Sequence, residues 1–172
     1  MLEIAAVPGL RPTSERIRET VFNWLAPRIA GARCLDLFAG TGALGLEALS
    51  RGAASTVFVE KSKRAIQALQ RNVASLDARG AVIVVGAAND FMAAARDERF
   101  DVVFLDPPFA DDNLSELCRL IDESGLLASA ANVYLEQDRA KPEPALPDGW
   151  QVLKSKTAGN VRYMLVASGH RN

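Results

Sequence analysis

The chain has 172 residues, 49% of them hydrophobic, and a formal net charge of −1. That length suits one globular domain with a substantial core, and the near-neutral charge argues against a general, charge-driven nucleic-acid binder. No apolar run approaches the ~20 residues of a membrane span, and the start MLEIAAVPGLRPT lacks the regions of a signal peptide, so none is expected.

The charge is unevenly spread. Residues 1–35 hold five Lys/Arg and three Asp/Glu, and residues 150–172 hold four Lys/Arg and no acid. The ends are therefore +2 and +4, which leaves −7 for the middle. If the ends meet in the fold they form a basic patch. Cys34 and Cys118 have no metal-type spacing and read as buried, reduced thiols, which fits a cytoplasmic protein.

In chain order, residues 1–12 form a leading segment and residues 13–26 an amphipathic helix. Ile17, Val21, Trp24 and Leu25 recur at helical spacing, Thr13 or Ser14 caps the start, and Pro27 lies close to the end. A core over residues 33–167 follows, beginning with the strand ARCLDLF, the turn AGTG and the helix ALGLEALSRG. Then come strand STVFVE, helix KSKRAIQALQRNVASLDA, strand AVIVV, short helix NDFMAAAR and strand FDVVFL. Helix NLSELCRLIDESG precedes strand NVYLEQ. These short strands are almost continuously apolar, as in parallel sheets covered on both faces, and their alternation with helices gives βαβ crossovers. Beyond the Pro-rich AKPEPALPDG, the candidates WQVLKSKT and VRYMLVAS are separated only by Ala158, Gly159 and Asn160 and suit a hairpin. The expected fold is a single α/β, Rossmann-like domain. Its seven-stranded sheet is mostly parallel with one antiparallel strand near an edge, and helices cover both faces.

The stretch DLFAGTGALGLEAL places Gly40, Gly42 and Gly45 as G-x-G-x-x-G between a strand and a helix. Such a turn lets a ligand approach the backbone and meet the helix N-terminus. Glu60 ends the next strand, 24 residues after Asp36, where a carboxylate can accept ribose hydroxyls. An adenosine-type ligand follows, and the glycines alone leave NAD and S-adenosylmethionine open. Asp36, four residues before Gly40, favours the second. An acid there repels a pyrophosphate but suits a ligand with an ammonium group, a sulfonium and no phosphate.

FLDPPF, residues 104–109, ends the fourth strand on the same rim. Proline stops the sheet ladder. The exocyclic amine of a nucleobase is a poor nucleophile because its lone pair is delocalised into the ring. Asp106 and the carbonyl of Pro107 offer two acceptors for its N–H groups. Pro108 restricts the conformation of Pro107 and so fixes that carbonyl, and Phe109 offers a face for a flipped-out base. Preorganised geometry and electrostatics then carry the catalysis, and no metal is required.

The order D-x-F-A-G-T-G, V-F-V-E, L-D-P-P-F resembles class I, S-adenosylmethionine-dependent amino methyltransferases. GLRPTSERIRETVFNWL, DLFAGTGALGLEALSRGA, FVEKSKRA, FDVVFLDPPF and AGNVRYMLV together resemble the bacterial 16S ribosomal RNA guanine-N2 methyltransferases, the RsmD family, over residues 9 to about 167. The resemblance implies methylation of guanine N2 at position 966 of the small-subunit RNA, on assembling 30S particles. It implies cofactor contacts at Asp36, Gly40, Gly42 and Glu60, a set we expect to include Phe38, Lys61, Ala88, Asn89 and Asp106. It implies target-base contacts at Asp106, Pro107 and Phe109, with Arg11 and Thr13 of the RPT segment beside the pocket. Lys154, Lys156 and Arg162 are expected to meet RNA phosphates, the two lysines sharing one side of their strand and Arg162 joining them across the hairpin.

Two departures stand out. The family usually has a basic β-hairpin before the RPT segment; only about ten residues precede that segment here, so the hairpin is expected to be absent, which means either a truncated chain or a weaker grip on RNA. In VVGAAND, Ala87 falls where related enzymes often carry a polar residue for the adenine amine, with Asn89 or Asp90 as substitutes. His170 falls in the tail SGHRN, so serine- and cysteine-nucleophile schemes lack their base. A monomer is expected. Methylation of adenine N6 in DNA or of a protein glutamine shares the acceptor geometry, and a noncatalytic RNA-binding module on the same fold is the alternative of another class.

Overall fold

The computed structural model describes residues 14–94, 96–108 and 113–169. The leading segment with Arg11 and Thr13, as well as Phe109 and His170, lies outside the described residues.

Helix α1 spans Glu15–Ile29 and is capped by Ser14, whose Oγ accepts from the Ile17 amide at 3.2 Å. It runs past Pro27, later than the sequence pattern suggests. Buried Leu25 and Ile29 anchor that last turn and outweigh the hydrogen bond a proline cannot donate. Then follow β1 (Arg33–Asp36), α2 (Ala43–Ser50), β2 (Ser55–Glu60), α3 (Lys63–Ser75), β3 (Ala81–Val85) and α4 (Ala88–Ala93). The chain continues with β4 (Phe100–Leu105), α5 (Leu114–Glu123), β5 (Leu127–Asp138), β6 (Gln151–Ala158) and β7 (Val161–Ala167).

The sheet order is β3-β2-β1-β4-β5-β7-β6. Strands β1 to β5 pair in parallel, and β7 is antiparallel to both β5 and β6. Strand order reverses between β1 and β4, and a crevice opens at the carboxyl ends of strands at such a point. One face packs Val21, Phe22 and Leu25 of α1, with Leu44 of α2, on Val102, Phe104, Tyr134 and Tyr163. On the other face Phe91 of α4 and Leu117 and Ile121 of α5 pack on Leu35, Val103, Leu105 and Val133. Helices on both faces explain why the parallel strands read as unbroken apolar runs. Cys34 and Cys118 are free and buried in these two layers, and burial pushes both thiols up to about 12.

Among the described residues the two basic end regions, 1–35 and 150–172, come together. Trp24 of α1 stacks on Tyr163 of β7, ring centroids 5.3 Å apart at 24°. Among the described residues no helix is long and apolar enough to cross a membrane, and no group of three or more His, Cys, Asp or Glu could hold a metal ion.

Candidate active site

Pairing of β1 with β4 builds the site. Asp36 lies level with Phe104, and the Leu37 amide donates to the Phe104 carbonyl at 3.3 Å. The glycine turn after β1 and the Asp106-Pro107-Pro108 turn after β4 therefore leave the sheet side by side. Asp106 is half-buried and Pro107 buried.

The glycine turn is tied down residue by residue. Gly40 and Gly42 have φ of +57° and +95°, a region other residues enter at a cost, and Gly42 caps α2. The Ala39 amide donates to the Val59 carbonyl at 3.1 Å, and the Gly40 amide to Glu60 Oε1 at 2.8 Å. Asn72 of α3 donates from Nδ2 to the Thr41 carbonyl at 2.9 Å. Gly45 serves packing: a Cβ there would overlap the Phe58 ring and come within 2.8 Å of Thr56 Cγ2, so the glycine lets α2 lie flat on β2.

Asp36 ends β1 and is 1% exposed. Backbone amides of Phe38 and Gly45 stabilise its charge, yet its Oδ1 has no hydrogen-bond partner. Burial, and then the neighbouring Glu60 carboxylate, push its pKa from the ordinary 3.8 up to about 7. A buried carboxylate oxygen that lacks a donor costs free energy until one arrives. A ligand ammonium supplies both the donor and the opposite charge, whereas a pyrophosphate adds repulsion. The residues present fit S-adenosylmethionine in this respect.

Glu60 is held more tightly than its sequence position suggests. Oε1 accepts from Gly40, and Oε2 accepts from the Lys61 and Ser62 amides at 3.0 and 2.8 Å. A carboxylate offers about four acceptor positions, so three amides leave roughly one for a ligand hydroxyl. Phe38 is half-buried against the core, and Lys61 is exposed. Beyond β3, Ala87 caps α4 without a side-chain bond, Ala88 is buried, and Asn89 and Asp90 are exposed. Sequence reading missed Asn72. Its signal was a polar residue on the buried stripe Ala65, Ile66, Ala68, Leu69, Asn72 of α3.

The hairpin corrects one expectation. Ala158 pairs with Val161, so the turn is the two residues Gly159 and Asn160, not three. Lys154 pairs with Leu165 and Lys156 with Tyr163, which puts both on the α1 face, exposed. Arg162 pairs with Thr157 and so faces the other way. There its Nη1 donates to Gln137 Oε1 at 3.1 Å and to the Lys141 carbonyl at 2.8 Å. It braces the loop after β5 and does not join the lysines.

The family described as "Conserved hypothetical protein 95" matches residues 1–167. Ribosomal RNA small subunit methyltransferase D of Escherichia coli is 44% identical over 164 residues, spanning 95% of this chain and 82% of that protein. The chain belongs to this family of S-adenosylmethionine-dependent methyltransferases. Another small-subunit methyltransferase D, from Haemophilus influenzae, is 41% identical over 91% of the chain and 82% of its own length. The solved structure of the putative methyltransferase yhhF from E. coli superposes with a TM-score of 0.89 at 40% identity, covering 99% of this chain and 92% of that one. A more distant putative methyltransferase, SMU.776, was crystallised with S-adenosylhomocysteine. It shares the fold at a TM-score of 0.71 and 16% identity, over 93% of this chain and 50% of that one.

Proposed function

We propose that the protein methylates the exocyclic N2 amine of a guanine in 16S ribosomal RNA, at position 966 by the family resemblance, on the assembling 30S subunit in the cytoplasm. The observation that carries this is the adjacency of two strand tips: a buried, donor-poor Asp36 beside a glycine turn, and Asp106-Pro107 one strand away.

When bound, S-adenosylmethionine supplies an electrophilic methyl group on a sulfonium. Asp36 holds the ammonium end, Gly40 and Gly42 let the ligand lie against the backbone, and Glu60 accepts a ribose hydroxyl. Asp106 and the Pro107 carbonyl accept the two N–H groups of the guanine amine. Its lone pair is then turned toward the methyl as nitrogen becomes tetrahedral. The methyl would pass to that nitrogen with the neutral thioether as the leaving group, and the Asp106 carboxylate that accepts one N–H would take up the proton the amine loses and pass it to solvent. Acceptors fixed before the reaction need no reorganisation during it.

The test is methyl transfer from labelled cofactor to assembling 30S particles, naked 16S RNA, DNA and protein, with mass analysis of the modified nucleoside. N2-methylguanine in the RNA is the expected product. Label in adenine of DNA, or in glutamine, would replace this reading with one of its chemical relatives.

Two further outcomes are expected. Glu60→Ala weakens S-adenosylmethionine binding by roughly 1–3 kcal/mol, the scale of hydrogen bonds to a charged group, as read by calorimetry. NAD binding in place of S-adenosylmethionine would contradict the cofactor roles. Replacing Lys154 and Lys156 by Gln lowers the slope of log affinity for RNA against log salt by about 1.4–1.8, the worth of two phosphate contacts, and spares cofactor binding. An unchanged slope would remove these lysines from the RNA surface. Arg162→Gln is the control, since its guanidinium already serves Gln137 and Lys141.

A further inference from the structure

The glycine turn that receives the cofactor is built from residues that specify little by themselves. Gly40 and Gly42 sample more backbone conformations than any other residue, and ordering them costs entropy that binding would otherwise have to supply. Helix α3 meets this turn at two successive residues. Leu69 packs at Gly42, where a Cβ would come within 2.5 Å of its Cδ1. Asn72, one helical turn on and 3% exposed, donates to the Thr41 carbonyl at 2.9 Å.

Asn72 is an unfavourable choice for helix or core. Asn is a poor residue in a helix interior, and burying its amide is costly without a partner. It stands where the apolar stripe of α3 calls for a hydrophobic residue. The opposite side of the same turn is held by Glu60 through the Gly40 amide at 2.8 Å. Glu60 thus grips the turn at Gly40 and Asn72 grips it at Thr41, the peptide between two left-handed glycines.

We propose that Asn72 is a positioning residue for cofactor binding: it holds the Gly40–Gly42 turn in its ligand-receiving shape before the cofactor arrives, without touching the cofactor. The inference rests on the reading of this turn as the S-adenosylmethionine site. Asn72 accordingly sets cofactor affinity and leaves the methyl-transfer step and the RNA surface alone.

The test compares the wild type with Asn72→Leu, which fills the buried space with an apolar side chain, and Asn72→Asp, which keeps the shape and removes the donor. Calorimetry gives the Kd for S-adenosylmethionine, steady-state methylation gives kcat and the KM for RNA at saturating cofactor, and thermal melting reports the fold. Both variants are expected to bind S-adenosylmethionine roughly 3- to 10-fold more weakly, the equivalent of one net hydrogen bond. Their kcat and KM for RNA at saturating cofactor should stay near wild type. A merely structural role would lower the melting temperature and the active fraction while leaving the Kd of the folded fraction unchanged, and that result would overturn the inference. So would a normal Kd with a reduced kcat. A wild-type protein that fails to bind S-adenosylmethionine would instead overturn the cofactor reading on which the inference stands.

Discussion

Asp106→Ala is expected to cut methyl transfer by ~10²-fold or more, the scale of removing one preorganised electrostatic contact from a transition state. Asp106 follows directly on β4, whose Phe104 and Leu105 are fully buried, so its backbone is set by the strand beneath it. The substitution removes an acceptor for the reacting amine and leaves Asp36, Glu60 and the glycine turn in place. Calorimetry should therefore find S-adenosylmethionine affinity little changed while single-turnover methylation collapses. A fall in kcat together with kcat/KM would mark an interaction made in the transition state. Turnover close to wild type would remove Asp106 from the chemistry.

The second large effect is a pH dependence set by Asp36. Its pKa is about 7 in the fold against an ordinary 3.8, because burial comes first and Glu60 second in penalising its charge. A carboxyl that binds its proton more tightly folded than unfolded makes the fold lose stability as pH rises between these values. The cofactor-free protein should thus become less stable from about pH 4 to about pH 7 through this group, and level off above. Cofactor binding runs the other way, since the ammonium needs the carboxylate. Affinity should fall as pH drops below about 7, by up to about tenfold per pH unit. Above about 8 the cofactor's own amine begins to lose its proton, by the usual range for an α-amino group. At pH 7 binding should release about half a proton, measurable by calorimetry in buffers of different ionisation enthalpy. Asp36→Asn should abolish the acid limb and weaken binding at neutral pH. A flat affinity profile between pH 5 and about 7 in the wild type would show that Asp36 does not meet the ammonium.

Much of this was legible in the chain because strand tips announce themselves. The parallel strands are continuous apolar runs, and each relevant one ends in or runs straight into an acid, Asp36, Glu60 and Asp106, with Pro107 stopping the ladder after the last. What the sequence hid were partnerships across long separations. Glu60 reads as a ribose acceptor, but its hold on the Gly40 amide, 20 residues away, appears only once β1 and β2 lie together. Asn72 reads as one more helical residue until α3 docks 31 residues from it in sequence onto Thr41. Arg162 shows how sharply sheets depend on register. Counting Ala158 in the turn sets Arg162 opposite Lys156, while pairing Ala158 with Val161 shifts the register by one and turns the guanidinium to the other face.

Strand β6 closes the sheet, and every residue of it up to Thr157 is exposed. Among the described residues its outer backbone edge has no neighbouring strand. An edge that also shows Val152 and Leu153, each almost half exposed, is a template onto which a second sheet can add. Two devices oppose that here: the irregular register between Val152 and Lys154, which bends the edge away from a flat partner, and the ammonium groups of Lys154 and Lys156 beside it. The lysines proposed above as phosphate contacts thus also place charge where one molecule's edge would pair with another's. With the RNA contacts proposed above, colloidal solubility and substrate grip would draw on the same two side chains, so a substitution at either would move both.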